Sequence, residues 1–198
     1  MDWEVLEGAD IMSVIYRMPL NQDQSSEQKV LRSYLVEVNY DHRTPEEVRK
    51  TGDWIDDPLN LRVLLTWVNH PSCEGVDEFT KLREFFIGNI PEKFHNKKIK
   101  EVWDELASFL DKLGYRFAVI DEAVSFARVY SDRMIIDRDI LVMGSSTVWK
   151  GGARCIAELY EDENEGEGAN GWTLNRIDID DLIEPGMELL YVSKNFVP

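Results

Sequence analysis

The clearest periodic pattern in the chain runs through NKKIKEVWDELASFLDKLGY, residues 96–115. Apolar residues recur there at positions i, i+3, i+4 and i+7, which is the spacing of one face of an α-helix. They are Ile99, Val102, Trp103, Leu106, Phe109, Leu110 and Leu113. Asn96 suits the N-cap and Gly114 suits the position just past the end. The pattern predicts an amphipathic helix with one face packed against a core.

Two shorter patterns before this helix also have helical spacing. The first follows a proline suited to the first helical position and consists of Pro58, Leu61, Leu64, Leu65 and Val68. The second would begin at Asp77 and end before Gly88, because a glycine is common just past a helix. Its shared face would consist of Phe79, Leu82 and Phe86. The three segments together predict a central helical block over residues 57–114.

Alternating apolar and polar residues on either side of this block predict strands. The first is VLRSYLVEVNY, residues 30–40, and the later ones fall in residues 115–120, 133–144, 153–160, 173–179 and 187–193. Pro185 and Gly186 suit the central positions of a type II turn, which predicts that the last two strands pair. Strands, then helices, then strands indicate an α+β fold with a mainly antiparallel sheet in its C-terminal part.

We predict a single domain over residues 1–198. An alternative division has two subdomains, with mixed strand and helix in residues 1–114 and mainly strand in residues 115–198. No apolar run approaches the ~18 residues that a membrane-spanning helix needs. The first ten residues are acidic where a signal peptide would be basic. These features predict a cytoplasmic protein that does not bind membranes.

Charge is the strongest signal in the composition. The chain has 38 acidic and 22 basic residues, for a net charge of −16. Residues 1–57 carry 13 acids and 6 bases, and residues 151–198 carry 11 acids and 3 bases. Such a surface repels phosphate, because nucleic-acid binding needs clustered Lys and Arg. The charge therefore argues against direct nucleic-acid binding and favours a basic protein partner.

The acidic excess is densest in EDENEGE, residues 161–167, between two predicted strands. One interpretation is a solvated hairpin loop whose charge serves solubility. The other is a recognition surface for a basic partner, with Trp172 as an anchor because Trp is enriched among interface hot spots. The residues predicted to bind the partner are Glu161, Asp162, Glu163, Glu165, Glu167, Trp172, Asp178, Asp180 and Asp181.

Metal and nucleophile chemistry receive little support from the sequence. His42, His70 and His95 are isolated from one another and sit in polar, loop-like contexts, which predicts surface histidines and no metal site. Cys155 lies in an apolar run typical of a core residue. Cys73 has no base near it in sequence that would lower its thiol pKa. We predict no catalytic residue, metal or cofactor.

One order of residues nevertheless resembles an enzyme family. Arg128, then Ser145-Ser146-Thr147, then Glu165-Gly166-Glu167 is similar to the Arg, Ser/Thr, Glu-x-Glu order of one class of ADP-ribosyltransferases. The resemblance covers about 40 residues. In that family the Arg grips the NAD phosphates and the last Glu holds the ribose. The resemblance therefore implies an NAD site containing Arg128, Ser145 and Glu167.

The sequence favours a non-enzymatic protein whose acidic surface binds a basic partner. In its sharpest form this hypothesis is an inhibitor that occupies a nucleic-acid-binding groove, as DNA-mimic phage anti-defence proteins do. The partner would then be a nucleic-acid-binding enzyme or a defence complex. Two alternatives stay open: an ADP-ribosyltransferase-like enzyme, and a structural or adaptor protein whose acidity serves only solubility. The oligomeric state is not determined by the sequence.

Overall fold

The structure is a computed structural model that describes residues 13–16, 31–38, 46, 64–73, 82–130, 139–149, 151–161, 172–194 and 196. Nine strands lie in these ranges: β1 Ser13–Tyr16, β2 Leu31–Glu37, β3 Trp67–Asn69, β4 Leu82–Asn89, β5 Tyr115–Phe117, β6 Ile140–Val148, β7 Arg154–Glu161, β8 Trp172–Asp178 and β9 Glu188–Ser193. Two long helices accompany them, α1 Ile99–Lys112 and α2 Ile120–Tyr130. Short 3-10 turns lie at Pro71–Cys73 and Glu92–Phe94.

The predicted fold class is wrong, because the described residues are dominated by one mixed sheet and those between 57 and 114 do not form a central helical block. The described part of that range contains β3 and β4, and α1 is its one long helix. A helix was also predicted from Asp77 to Gly88. Its described residues, from Leu82 onward, form strand β4 instead. Phe85 and Phe86 are both buried there, one on each face of the sheet. A strand buried on both faces loses its alternation, so its apolar residues resemble a helical pattern by coincidence.

Helix α1 forms where the periodicity predicted it. Its buried residues on the predicted face are Ile99, Val102, Trp103, Leu106 and Leu110. Ala107 is also buried, Phe109 is half-buried, and Leu113, predicted on the same face, is exposed. The N-cap is Lys98 rather than Asn96, and it makes no side-chain capping bond. At the other end Gly114 has a φ of 83°, the left-handed conformation that glycine adopts without strain. Here the local sequence was sufficient to define the element.

Helix α2 is absent from the sequence prediction, which places a single strand over residues 115–120. The strand β5 stops at Phe117, and the helix begins at Ile120. Its apolar face does carry the helical spacing, in Ile120, Ala123, Val124 and Ala127, all of which are buried. The carboxylate of Glu122 accepts a hydrogen bond from the backbone N–H of Val119, 2.9 Å away, and so satisfies one free donor at the helix start.

The nine strands form one mixed sheet in the order β1-β2-β4-β9-β6-β7-β8, with β3 paired to β6 and β5 paired to β9. The C-terminal strand β9 is therefore central: it runs antiparallel to β4 and parallel to β6. The predicted pairing of the last two strands is wrong. After β8 the chain first pairs Leu182 with Lys98 beside α1, and Pro185 and Gly186 then turn it into the middle of the sheet.

Within the described residues, each face of the sheet carries one long helix and one hydrophobic core. The core under α2 includes Val36, Phe85, Phe126, Leu159 and Leu190. The core under α1 includes Phe86, Trp103, Leu106, Ile156 and Leu189. Neighbouring residues such as Leu189 and Leu190 point to opposite faces because successive side chains of a strand alternate. In β2 the predicted alternation is also observed: Tyr34 and Val36 are buried, as is Val38 just past the end of the strand, and Glu37 is exposed.

Candidate functional site

The predicted recognition residues fall at the two ends of one hairpin, formed by β7 and β8. Seven residue pairs join these strands, from Cys155 opposite Asp178 to Glu161 opposite Trp172. Glu161 and Trp172 thus form the last pair before the connecting segment. That segment, with Asp162, Glu163, Glu165 and Glu167, lies outside the described residues, as do the side chains of Glu161 and Trp172.

At the opposite end of the same hairpin, Asp178 is the last residue of β8, and Asp180 and Asp181 follow it. Six residue steps separate Trp172 from Asp178, which at ~3.4 Å per residue places the two ends about 20 Å apart. The described end of the acidic segment, at Glu161 and Trp172, is therefore separated from Asp178 by the length of the hairpin. Likewise, β1 and β8 are the two ends of the strand order, so the terminal acidic segments do not meet through these strands.

The three aspartates at the end of β8 stabilise a turn, and one of them, Asp180, pairs with two lysines. Asp180 lies 2.9 Å from the Lys98 ammonium and 2.5 Å from that of Lys100. Hydrogen bonds from these two lysines, that from Lys100 first, lower the pKa of Asp180. Asp178 accepts a hydrogen bond from the Asp180 backbone N–H, and Asp181 accepts one from that of Asp178. Much of the negative charge at this end is consequently neutralised locally.

Ser145, Ser146 and Thr147, the hydroxyl residues in the order that resembles ADP-ribosyltransferases, are all buried. The Ser145 hydroxyl donates to Asn69 Oδ1 at 2.8 Å and accepts from the Ile120 backbone N–H at 3.0 Å. Thr147 donates to a backbone carbonyl at Thr66, 2.8 Å away. These bonds fasten β3 and the start of α2 to β6, which leaves Ser145 without access to a substrate. The side chain of Arg128, and Glu165 and Glu167, lie outside the described residues.

Neither cysteine has the environment of a nucleophile. Cys73 is 1 % exposed, and burial raises its thiol pKa. Its sulfur contacts the carbonyl oxygen of Phe117 at 3.6 Å. Burial also raises the thiol pKa of Cys155, which lies in β7 as its apolar run predicted. Because the thiolate is the reactive form, both side chains act as small core residues.

The environment of His70 differs most from what the sequence predicted. It was predicted to lie at the surface, yet it is 6 % exposed. Its ring stacks on Trp103 at 5.1 Å between centroids and meets Phe117 edge-on at 5.7 Å. A proline-flanked histidine in a polar stretch gives no local sign of this burial. The partner ring lies on α1, which the chain reaches only after strand β4.

The imidazole of His70 links a surface carboxylate to a buried turn. Its Nδ1 accepts the Ser72 backbone N–H at 3.2 Å and lies 2.8 Å from the Ser72 hydroxyl. Because Nδ1 must carry the lone pair for this bond, the proton resides on Nε2. Nε2 then donates to Asp104 at 3.1 Å, and the Asp104 side chain is 97 % exposed. The arrangement holds a neutral histidine and caps the Pro71–Cys73 turn.

His70 should make stability depend on pH in the slightly acidic range. Burial lowers its pKa, more than Asp104 raises it. The unfolded chain therefore binds the proton first, and the stabilising effect of the neutral ring is lost as pH falls below about 6.5. We expect His70→Asn to lower stability at pH 8 but to show a shallower loss between pH 7 and pH 5. Urea unfolding across this range measures both slopes, and equal slopes would contradict the prediction.

The described residues contain neither a metal-binding cluster nor a membrane-spanning helix. Within the described residues, no three His, Cys, Asp or Glu side chains converge in a group that would hold a metal ion. No helix in the described part of the chain is both long and apolar enough to cross a membrane. Comparison with protein-family models, curated proteins and solved structures found no match to this chain.

Proposed function

We propose that this protein binds a basic protein surface through the acidic end of its β7–β8 hairpin. The observation that carries the proposal is the hairpin ladder. Seven consecutive pairs lead to Glu161 and Trp172, and the densest acidic segment of the chain connects these two residues. At the other end of the hairpin the carboxylate of Asp180 is paired with two lysines. The recognition surface is therefore confined to residues 161–172.

In the more specific form of the proposal, the partner is a nucleic-acid-binding protein and the acidic segment occupies its groove. Five carboxylates lie within residues 161–167. At full extension these seven residues span at most about 20 Å. One DNA strand carries one phosphate per ~3.4 Å, so about six phosphates occupy the same length. The segment has nearly the charge density of a single strand, which favours an inhibitor of the kind found in phage anti-defence systems.

Charge-neutralising variants test this proposal. The hairpin variant carries Glu161→Gln, Asp162→Asn, Glu163→Gln, Glu165→Gln and Glu167→Gln. A matched control loses the same number of charges at exposed, dispersed positions: Glu37→Gln, Glu92→Gln, Glu101→Gln, Asp139→Asn and Glu184→Gln. Immobilised wild type should capture a nucleic-acid-binding protein from a bacterial lysate. We expect capture to weaken with salt, because surface charge pairs are screened, and duplex DNA to compete.

The captured protein is then purified and its affinity for the three forms is measured by calorimetry. We expect the hairpin variant to bind at least tenfold more weakly, since several charge pairs are lost together, and the control to bind like wild type. Equal affinity for all three forms would place the interface elsewhere. Failure of wild type to capture any nucleic-acid-binding protein would contradict the narrower form of the proposal.

A further inference from the structure

A groove opens beside β3 on the face of the sheet that carries α1. It encloses about 690 Å³, within the range of roughly 300–1,000 Å³ that small-molecule sites occupy. Its apolar lining consists of Leu64, Leu65, Val68 and Val148. Val68 is 61 % exposed and Val148 is 68 % exposed, unusual values for valines of a sheet. The groove therefore presents aliphatic surface that no described part of the chain covers.

One charged side chain, Arg154, is found among the described residues that line this groove. Its Nε donates to the Ser146 hydroxyl at 3.0 Å. The carbon of its guanidinium lies 5.0 Å from the centre of the Trp103 ring, within the range of a cation–π contact. Within the described part of the chain, Ser146 is its hydrogen-bond partner. The two terminal nitrogens of the fork consequently remain for a ligand.

The orientation of Arg154 determines what the groove would accept. A guanidinium whose terminal nitrogens are available matches the two oxygens of a carboxylate and binds it through two parallel hydrogen bonds. The remainder of the lining is aliphatic or hydroxylic and contains no carboxylate among the described residues. On a protein with a net charge of −16, an anion would bind only where a fixed cation is available.

We infer that this groove binds a small carboxylate with an apolar body, such as a medium-chain fatty acid or an aromatic acid. The carboxylate would pair with Arg154, and the apolar body would cover Val68 and Val148. This site lies on β3, β6 and the start of β7, and it is independent of the acidic segment that follows the other end of β7. The inference therefore does not depend on the proposed partner-binding function.

Octanoate and its uncharged methyl ester are suitable probes, because they share the apolar body and differ in the carboxylate. Titration of the ¹⁵N-labelled full chain, followed by NMR, should show shifts at Val68, Val148 and the Arg154 Nε with octanoate. We expect the ester to bind at least tenfold more weakly, because it lacks the charge-assisted hydrogen bonds. Absence of binding by octanoate up to millimolar concentration would overturn the inference.

Variants separate a specific site from general apolar binding. Arg154→Gln should weaken octanoate binding at least tenfold, and Arg154→Lys should restore part of it, because Lys keeps the charge but loses the fork. Lys93→Gln removes a cation on another part of the surface and should have no effect. Val148→Thr, at an exposed position, tests the apolar wall even if the Arg154 variants lose packing on Trp103. Unchanged affinity in both Arg154→Gln and Val148→Thr would overturn the site.

Discussion

Replacing Glu122 by glutamine should lower the free energy of unfolding by about 3–5 kcal/mol, the usual cost of removing one partner from a buried ion pair. Glu122 is 0 % exposed and holds two arginines. Its oxygens lie 2.7 and 2.6 Å from the two terminal nitrogens of Arg116, which is itself 9 % exposed. The Arg83 Nε lies 3.2 Å away. Glutamine would remove the carboxylate charge that these two arginines share.

Urea unfolding of wild type and Glu122→Gln would measure the loss, and Glu92→Gln, at an exposed position, serves as the control for charge removal. The double variant Arg116→Met with Glu122→Met provides the sharper comparison. Because the double variant removes Arg116 together with the carboxylate that it pairs with, it should be more stable than the sum of its single variants predicts. A midpoint for Glu122→Gln within error of wild type would show that the pair contributes little.

Replacing Gly144 by alanine should cost about 3 kcal/mol or abolish folding, because β6 approaches another stretch of backbone too closely for a side chain. A Cβ at Gly144 would lie 2.2 Å from the Ala118 carbonyl oxygen and 2.9 Å from the Val119 nitrogen. The Gly144 N–H donates to that same oxygen at 3.0 Å, and its carbonyl accepts the His70 N–H. Overpacking of a core typically costs 1–3 kcal/mol, and here fixed backbone bonds prevent relaxation.

Gly88→Ala is the matched control, since Gly88 also lies in a strand of the same sheet. Its Cβ would meet the Tyr191 hydroxyl at 3.0 Å, which is the end of a side chain and is able to shift. We expect this variant to lose clearly less stability than Gly144→Ala in the same urea unfolding experiment. Equal losses would indicate that the cost arises from glycine replacement in a strand in general rather than from the contact with Ala118.

The sequence predicted the elements that have water on one side. Helix α1 has a buried face and an exposed face, and strand β2 has buried Tyr34 and Val36 with Glu37 exposed at its end. Contact with water on one side imposes a period on the apolar residues, and a period is visible without a structure. Strand β4 is covered by core on both faces, so the sequence carried little such signal there.

The candidate sites divide in the same way. The acidic segment and its position between two strands followed from composition and alternation, and β7 and β8 do pair around it. The distance of about 20 Å between Trp172 and Asp178 did not follow from the sequence, because it depends on the length and register of the hairpin. The groove also lacked a sequence signal: Val68 and Val148 are 80 positions apart and meet only because β3 pairs with β6.

By itself, the sequence determined the large negative charge, its concentration near the two ends of the chain, and the elements with a single buried face. The tertiary structure decided the rest: that β9 occupies the middle of the sheet, that His70 is buried against Trp103, and that Arg154 lies over the same ring beside an apolar groove. The physical reason is that local patterns record which side of a segment meets water. Which residues cover the buried side of a segment depends on contacts between residues far apart in the chain.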